Sequence, residues 1–312
     1  MSVRVPATSA NLGPGFDSAG LALDLHDDVV VALAPSGLEV HVEGESAGEL
    51  PLDERHLVVR ALRAAFDRLG RQPSGLVLRC TNRIPHARGL GSSSAAIVAG
   101  VLAARALAAD GERQLEAQGA LELADELEGH PDNVAACLLG GVTFAWTSAE
   151  GARAVRLDAA AELAPVALVP STTSSTAVVR GLLPSAVPYA DAVFNASRAA
   201  LLPVALTRDP SLLLPATEDR LHQGYRAPAM PATADLVAEL RRTGVPAVVS
   251  GAGPTVLALT TRAQRPAVTG AERPGWTVLP LDVAPRGAHL LSPGRVTGTP
   301  RSGARVVPGV QR

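Results

Sequence analysis

The run Gly89-Leu90-Gly91-Ser92-Ser93-Ser94-Ala95-Ala96 limits this chain more than any other segment. Pro85 closes a strand-like stretch ahead of it and an Ala/Val/Leu-rich helical segment follows. The chain must therefore pass from strand to helix through a turn of minimal side chains. Two glycines and three hydroxyls at a helix N-terminus leave a hollow of free backbone N–H groups. Those donors and the helix dipole favour negative charge, and a polyphosphate suits both. One hydroxyl would suffice as a cap. Ser92 and Ser93 can also offer an oxygen to Mg²⁺, which takes few protein ligands beside phosphate oxygens.

The chain contains no lysine; all 28 basic residues are arginine. A Walker-type loop needs Gly-Lys-Ser/Thr, so that route to a nucleotide is closed. So is the kinase fold that grips phosphates with a strand lysine. Any nucleotide must be held by backbone donors, serines and arginine. At 312 residues and 47% hydrophobic the chain can bury a sizeable core, as one large or two moderate domains. A net charge of −2 and 3% aromatics leave no basic, stacking surface for nucleic acid. Cys80 and Cys137 lack metal-ligand spacing and read as buried free thiols of a reducing compartment. The N-terminus lacks the layout of a signal peptide. The apolar helix Ala95 to Ala109, broken by Arg105, is too short for a bilayer. These features predict a soluble, cytoplasmic protein with neither membrane nor nucleic acid as partner.

Strands are expected at Val3–Pro6, Leu21–Leu33 (bent at His26-Asp27-Asp28), Gly75–Arg83 and Val142–Thr147, with a loop over Ala7–Gly15. Helical spacing marks His56–Leu69 and Leu115–Glu128, each stopped by glycine, and a short helix starting at Pro131. The second half offers strands at Pro165–Val169, Pro246–Ser250, Thr255–Thr260 and Trp276–Val283. Its helices fall near Ala190–Leu206 and Thr233–Arg242. Strands followed by helices define an α+β class. Rising charge and glycine at Ala149–Arg156 set the expected division: residues 1–155, residues 156–291, and a disordered tail at 292–312, where Gly, Pro, Arg, Ser and Thr dominate.

Three further segments carry polar groups. Pro6 to Asp17 is a Pro/Gly-stiffened loop in which Asn11 and Asp17 either bond their own backbone or face a small hydroxylated or amino substrate. In Glu128-Gly129-His130-Pro131-Asp132-Asn133, one helix ends and another begins. A carboxylate at the negative end of a helix is disfavoured by ~0.3–1 kcal/mol, which hints at a compensating cation beside Glu128. Ser250-Gly251-Ala252-Gly253-Pro254-Thr255 joins two strands with residues small enough for close backbone or ligand approach.

Taken in order, Pro6 to Leu23, Pro85 to Ala96 and Ser250 to Leu259 resemble the three motifs of the GHMP small-molecule kinases. The Glu128–Asn133 corner and Asp219 to Arg226 are similar to the branch of that family acting on homoserine. The resemblance spans about residues 3 to 290. It implies a two-domain GHMP kinase fold, ribosomal-protein-S5-like in its N-terminal domain and ferredoxin-like in its C-terminal one. It also implies ATP-dependent phosphorylation of L-homoserine, a step toward threonine. ATP would lie on Pro85, His86, Ala87, Arg88, Gly89, Leu90, Gly91, Ser92, Ser93, Ser94 and Ala95. Ser93 and Glu128 would hold Mg²⁺, with Glu128, Asp132 and Asn133 as the catalytic group. Asn11, Asp17, His130, Thr176, Arg180, Arg226 and Gly251 would bind homoserine, the two arginines clamping its carboxylate through their planar forks. Gly224 departs from the proline expected there. The same resemblance leaves room for a mevalonate-like substrate, for an inactive nucleotide-sensing module, and for a homodimer with no interface legible in the chain.

Overall fold

The computed structural model describes residues 1–173 and 179–292. β1 (Ser2–Ala10) and β2 (Ala19–Ala34) form the antiparallel spine of a seven-stranded sheet. Pro6 has no N–H to give to the ladder, and the register shifts beside it, from Pro6↔His26 to Ala7↔Leu23. Past that irregularity β1 resumes as far as Ala10, so the first four residues of the loop expected over Ala7–Gly15 are strand. β2 is long enough to serve two neighbours on one side. Asp28–Ala34 pairs with β4 (Gly75–Asn82), and Ala19–Leu21 pairs with β5 (Val142–Ser148). β3 (Gly37–Gly44) runs parallel to β4 at the edge, and β6 (Gly151–Leu157) pairs with β5.

Helices α1 (Leu57–Arg68), α2 (Ser92–Leu107), α4 (Ala117–Glu128) and α5 (Pro131–Leu139) pack on this sheet and on one another, with the single turn α3 (Gly111–Gln114) between. α2 is apolar nearly all round, and Ala95, Ile97, Val98, Ala99, Val101, Ala103 and Ala104 are buried, as a central helix requires. Alanine is abundant here because α1 and α2 lie close: a Cβ on Gly100 would come within 2.6 Å of the Val58 carbonyl.

A second, fully antiparallel sheet has the order β10 (Trp276–Pro280), β7 (Val166–Pro170), β9 (Val256–Ala258), β8 (Ala247–Val249). Helix α7 (Pro231–Arg242) seats Leu236 and Leu240 against Val166, Leu168 and Val256. Between β7 and that helix runs α6 (Tyr189–Thr207), which contributes Leu202, Ala205 and Leu206 to the larger core. The division expected after residue 155 falls inside β6, whose pairing with β5 continues to Leu157. The chain also returns to the first sheet at its end: Leu23 bridges Val283, and β11 (His289–Leu290) pairs with β1. The tail expected over 292–312 lies, beyond residue 292, outside the described residues. Among the described residues no helix is long and apolar enough to cross a membrane, and Cys80 and Cys137 are free and buried.

Candidate active site

The turn before α2 is held open by its neighbours. Gly89 and Gly91 have φ of 80° and 70°, in the left-handed region that glycine enters without strain. Space forbids a side chain as well: a Cβ on Gly89 would lie 2.3 Å from the Ser250 carbonyl, and one on Gly91 would lie 1.9 Å from Thr8 Oγ1. The Thr8 N–H donates to the Leu90 carbonyl (3.0 Å), and Ser250 Oγ donates to that of Gly89 (2.6 Å). β1 on one side and the β8–β9 turn on the other thus fix the loop. No side chain caps α2, so its first N–H groups are left for an anion.

Glu128 ends α4 where Gly129, at φ 89°, breaks the helix, and Pro131 starts α5. Its Oε1 accepts hydrogen bonds from Ser93 Oγ (2.6 Å) and Ser94 Oγ (2.9 Å). The penalty of a carboxylate at a helix C-terminus is offset here by two hydroxyls and by the positive end of α2. Hydroxyl and carboxylate oxygens at one point, beside an uncapped helix N-terminus, fit a hard cation that fills its shell with phosphate oxygens and water. Among the described residues no group of three or more His, Cys, Asp or Glu could hold a metal ion. A site that relies on few protein ligands is in keeping with that.

The neighbouring corner is a relay of hydrogen bonds. His130 Nδ1 lies 3.2 Å from Asp132 Oδ1, and this bond holds the imidazole above its ordinary 6.5. The same oxygen accepts the Asn133 N–H (2.8 Å). Asn133 Oδ1 accepts from Thr8 Oγ1 (2.8 Å), tying α5 to β1. Asp132 is 2% exposed.

Opposite stands the loop that follows β1. Asn11 and Asp17 occupy left-handed backbone at φ 71° and 54°. Asn11 donates to the Gly251 carbonyl (2.8 Å) and accepts the Asp17 N–H (2.9 Å), so both first-loop residues also meet backbone. Arg180 places its fork on both Asp17 oxygens, at 3.0 and 2.5 Å, which raises its affinity for its proton. Arg226, by contrast, is 1% exposed and makes no ion pair among the described residues.

One cleft is lined by Asn11, Ala87, Gly89, Gly91, Ser92, Ser93, Glu128, His130, Asp132, Asn133, Arg180, Arg226 and Gly251. Asp17 reaches it through Arg180, and Ser94 through Glu128. Pro85 and Leu90 are buried behind the loop. Arg88 donates to the carbonyls of His86, Pro170 and Ser171, so its side chain straps the loop to the end of β7. Thr176 lies outside the described residues. His86 and Ala95 line a second cavity of about 250 Å³, which shares Ser92 with the cleft.

Sequence reasoning missed most of that cavity. Its wall includes Val5, Asp27, Val29, Leu50, Pro51, His56, Leu57, Cys80 and Asn82, brought together from β1, β2, β4 and the start of α1. His56 is 4% exposed with neither ring nitrogen paired, and burial lowers the proton affinity of both His56 and His86. Burial pushes Asp27 up to about 6, against the Arg83 and Ile84 N–H groups that it accepts. No spacing rule links these positions; two unpaired histidines near an apolar hollow emerge only from the fold.

A family model for the GHMP kinases N terminal domain matches residues 56–141, and one for the GHMP kinases C terminal matches 201–271. The chain belongs to the GHMP kinase family, and its two sheets with their helices are that family's two-domain fold. Within it the chain groups with homoserine kinases. Homoserine kinase of Streptomyces avermitilis is 59% identical over 289 residues, 93% of this chain and 95% of that one. The enzyme of Rhodococcus erythropolis is 51% identical over 91% and 94%. The crystal structure of homoserine kinase from Cytophaga hutchinsonii has a TM-score of 0.78 at 27% identity, covering 93% of this chain and 97% of that one. Mevalonate kinase of L. major, at 17% identity and a TM-score of 0.65, shares the fold.

Proposed function

We propose that this chain transfers the γ-phosphoryl group of ATP to the hydroxyl of L-homoserine, giving O-phospho-L-homoserine and ADP. The observation that carries the reading is the meeting, in one cleft, of the uncapped α2 turn, Glu128 and a buried arginine that makes no ion pair among the described residues. A triphosphate suits the first, a hard cation the second and an amino-acid carboxylate the third. Relatives named homoserine kinase at 51–59% identity over most of the chain support the substrate.

Phosphoryl transfer asks for positioning and charge neutralisation more than covalent chemistry. The N–H groups of Gly89 to Ser94 would take the phosphate oxygens, and the adenine would enter the neighbouring cavity of His56 and His86. Mg²⁺, held by Ser93 and Glu128, would neutralise charge on the β- and γ-phosphates. Arg226 would bind the carboxylate of homoserine, with Asn11 and Asp17 toward its amino end and His130 beside its hydroxyl. Asp132 holds the His130 ring in place and raises its proton affinity, and Asn133 locks that corner to β1. The proposed use of ATP and the buried free thiols of Cys80 and Cys137 support a cytoplasmic enzyme.

The test is a substrate panel scored by ADP release: L-homoserine, mevalonate, galactose and shikimate, each with ATP. L-homoserine should be preferred by at least about two orders of magnitude in kcat/KM, because a buried polar site left unpaired penalises the wrong substrate strongly. Equal or better use of mevalonate or a sugar refutes the assignment.

A further inference from the structure

Arg226 poses a physical problem. A buried guanidinium with no carboxylate partner is costly. Among the described residues its Nε has no hydrogen-bond partner; burial and then the charge of Arg180 lower its proton affinity, while the more distant charges of Asp17, Asp219 and Asp132 raise it. Its surroundings are nonetheless specific. The Arg226 guanidinium carbon lies 5.0 Å from the centroid of the Phe16 ring, and that of Arg180 lies 5.6 Å from the same ring. Phe16 stacks on His222, with centroids 4.8 Å apart and 23° between planes. His222 Nε2 is 2.8 Å from the Gly13 carbonyl, so it carries the hydrogen and donates it. The lone pair of Nδ1 is then left for Arg226 Nη1, at 3.3 Å.

We propose that Phe16 and His222 form an aromatic shelf that aims Arg226 at the carboxylate of the amino-acid substrate. This rests on the carboxylate-clamp reading of Arg226 given above. The electron-rich ring face offsets the crowding of two like charges, and the imidazole lone pair fixes the roll of the fork. Neither group is anionic. A carboxylate partner, such as Asp17 is to Arg180, would neutralise Arg226 and compete with the substrate; a ring face and a neutral imidazole leave its charge available. Arg226 Nη1 can only donate, so its approach to Nδ1 calls for a neutral ring; burial lowers the proton affinity of His222 in the same sense, against Asp219 at 3.6 Å. Phe16 and His222 are positioning residues, acting through Arg226.

A double-mutant cycle tests this, read as KM for L-homoserine, KM for ATP and kcat. Phe16→Leu keeps an apolar filler but removes the π face. His222→Gln keeps a donor toward Gly13 and loses the acceptor for Arg226, whereas His222→Asn keeps that acceptor. Phe16→Leu and His222→Gln should each raise KM for homoserine about ten-fold while kcat stays within about two-fold. KM for ATP should not change, and His222→Asn should recover most of the loss. In an Arg226→Gln background neither change should raise KM further, because the group through which they act is gone. Losses that multiply in that background, or kcat and KM for ATP worsening in step, would show a merely structural role and overturn the shelf. An Arg226→Gln enzyme with unchanged KM would overturn the clamp reading itself, a result distinguishable from the first.

Discussion

Glu128 is the residue to which the proposed chemistry assigns the metal. It spends one oxygen on two serine hydroxyls of α2, and it is the carboxylate that joins the end of α4 to the glycine-rich turn before α2. Glu128→Gln preserves size and can still meet Ser93 and Ser94, but it removes the charge that a divalent cation requires. We expect kcat to fall by about 100-fold or more with little change in Tm, the scale seen when a preorganised electrostatic contact is removed. ADP release and thermal melting check both halves; retained activity would place the metal elsewhere. Asp27 gives a prediction of a different kind. Its carboxyl titrates at about 6 in the fold against an ordinary 3.8. Between those values the unfolded chain releases a proton that the folded one keeps. Stability is therefore lost as pH rises through that window, and the deficit stays constant above it. Both backbone N–H groups fall on one oxygen, which asparagine can supply. Asp27→Asn should match the wild type near pH 4 and exceed it above pH 6, by at most about 3 kcal/mol. Denaturant melts at both pH values decide it, and a gap independent of pH contradicts the account.

At the scale of elements, the α2 turn works because two positions tolerate nothing larger than glycine. Gly91→Ala meets both a left-handed backbone, worth about 1–2 kcal/mol, and overlap with Thr8 Oγ1. It should lower Tm and raise KM for ATP about ten-fold or more, since displaced N–H groups cannot cradle the phosphates. An unchanged KM for ATP would remove this turn from the nucleotide site. These elements were largely legible in the chain. Helical spacing and glycine stops placed α1 and α4, the apolar run after the Gly/Ser turn placed α2, and Pro131 placed the start of α5. β3 was not foreseen, although Leu38, Val40 and Val42 alternate with Glu39, His41 and Glu43. Its exposed edge position leaves few apolar residues to announce it. Pro6 suggested the end of a strand, yet it sits at a register shift that the rest of β1 survives. β11 spans two residues and takes its identity from β1, so no local pattern could have marked it.

At the scale of the molecule, the site exists only because distant segments converge. Ser250 reaches Ser9 and the Gly89 carbonyl, Thr8 reaches Asn133, Asn11 reaches Gly251, and Phe16 carries His222 and Arg226. The residues of the first loop, the corner and the second-half arginines could be named from motifs because each motif is contiguous. The pairing of Asp17 with Arg180, the Phe16–His222 shelf and the His56 cavity could not, because the chain separation between partners erases any local signal. The central claim is that backbone donors before α2 hold the triphosphate while Arg226 holds the substrate carboxylate in the same cleft. The direct measurement is a crystal structure with a non-hydrolysable ATP analogue and L-homoserine. The account predicts phosphate oxygens on the N–H groups of Gly89 to Ser94 and the homoserine carboxylate on Arg226. A triphosphate bound elsewhere, with that turn empty, would contradict it.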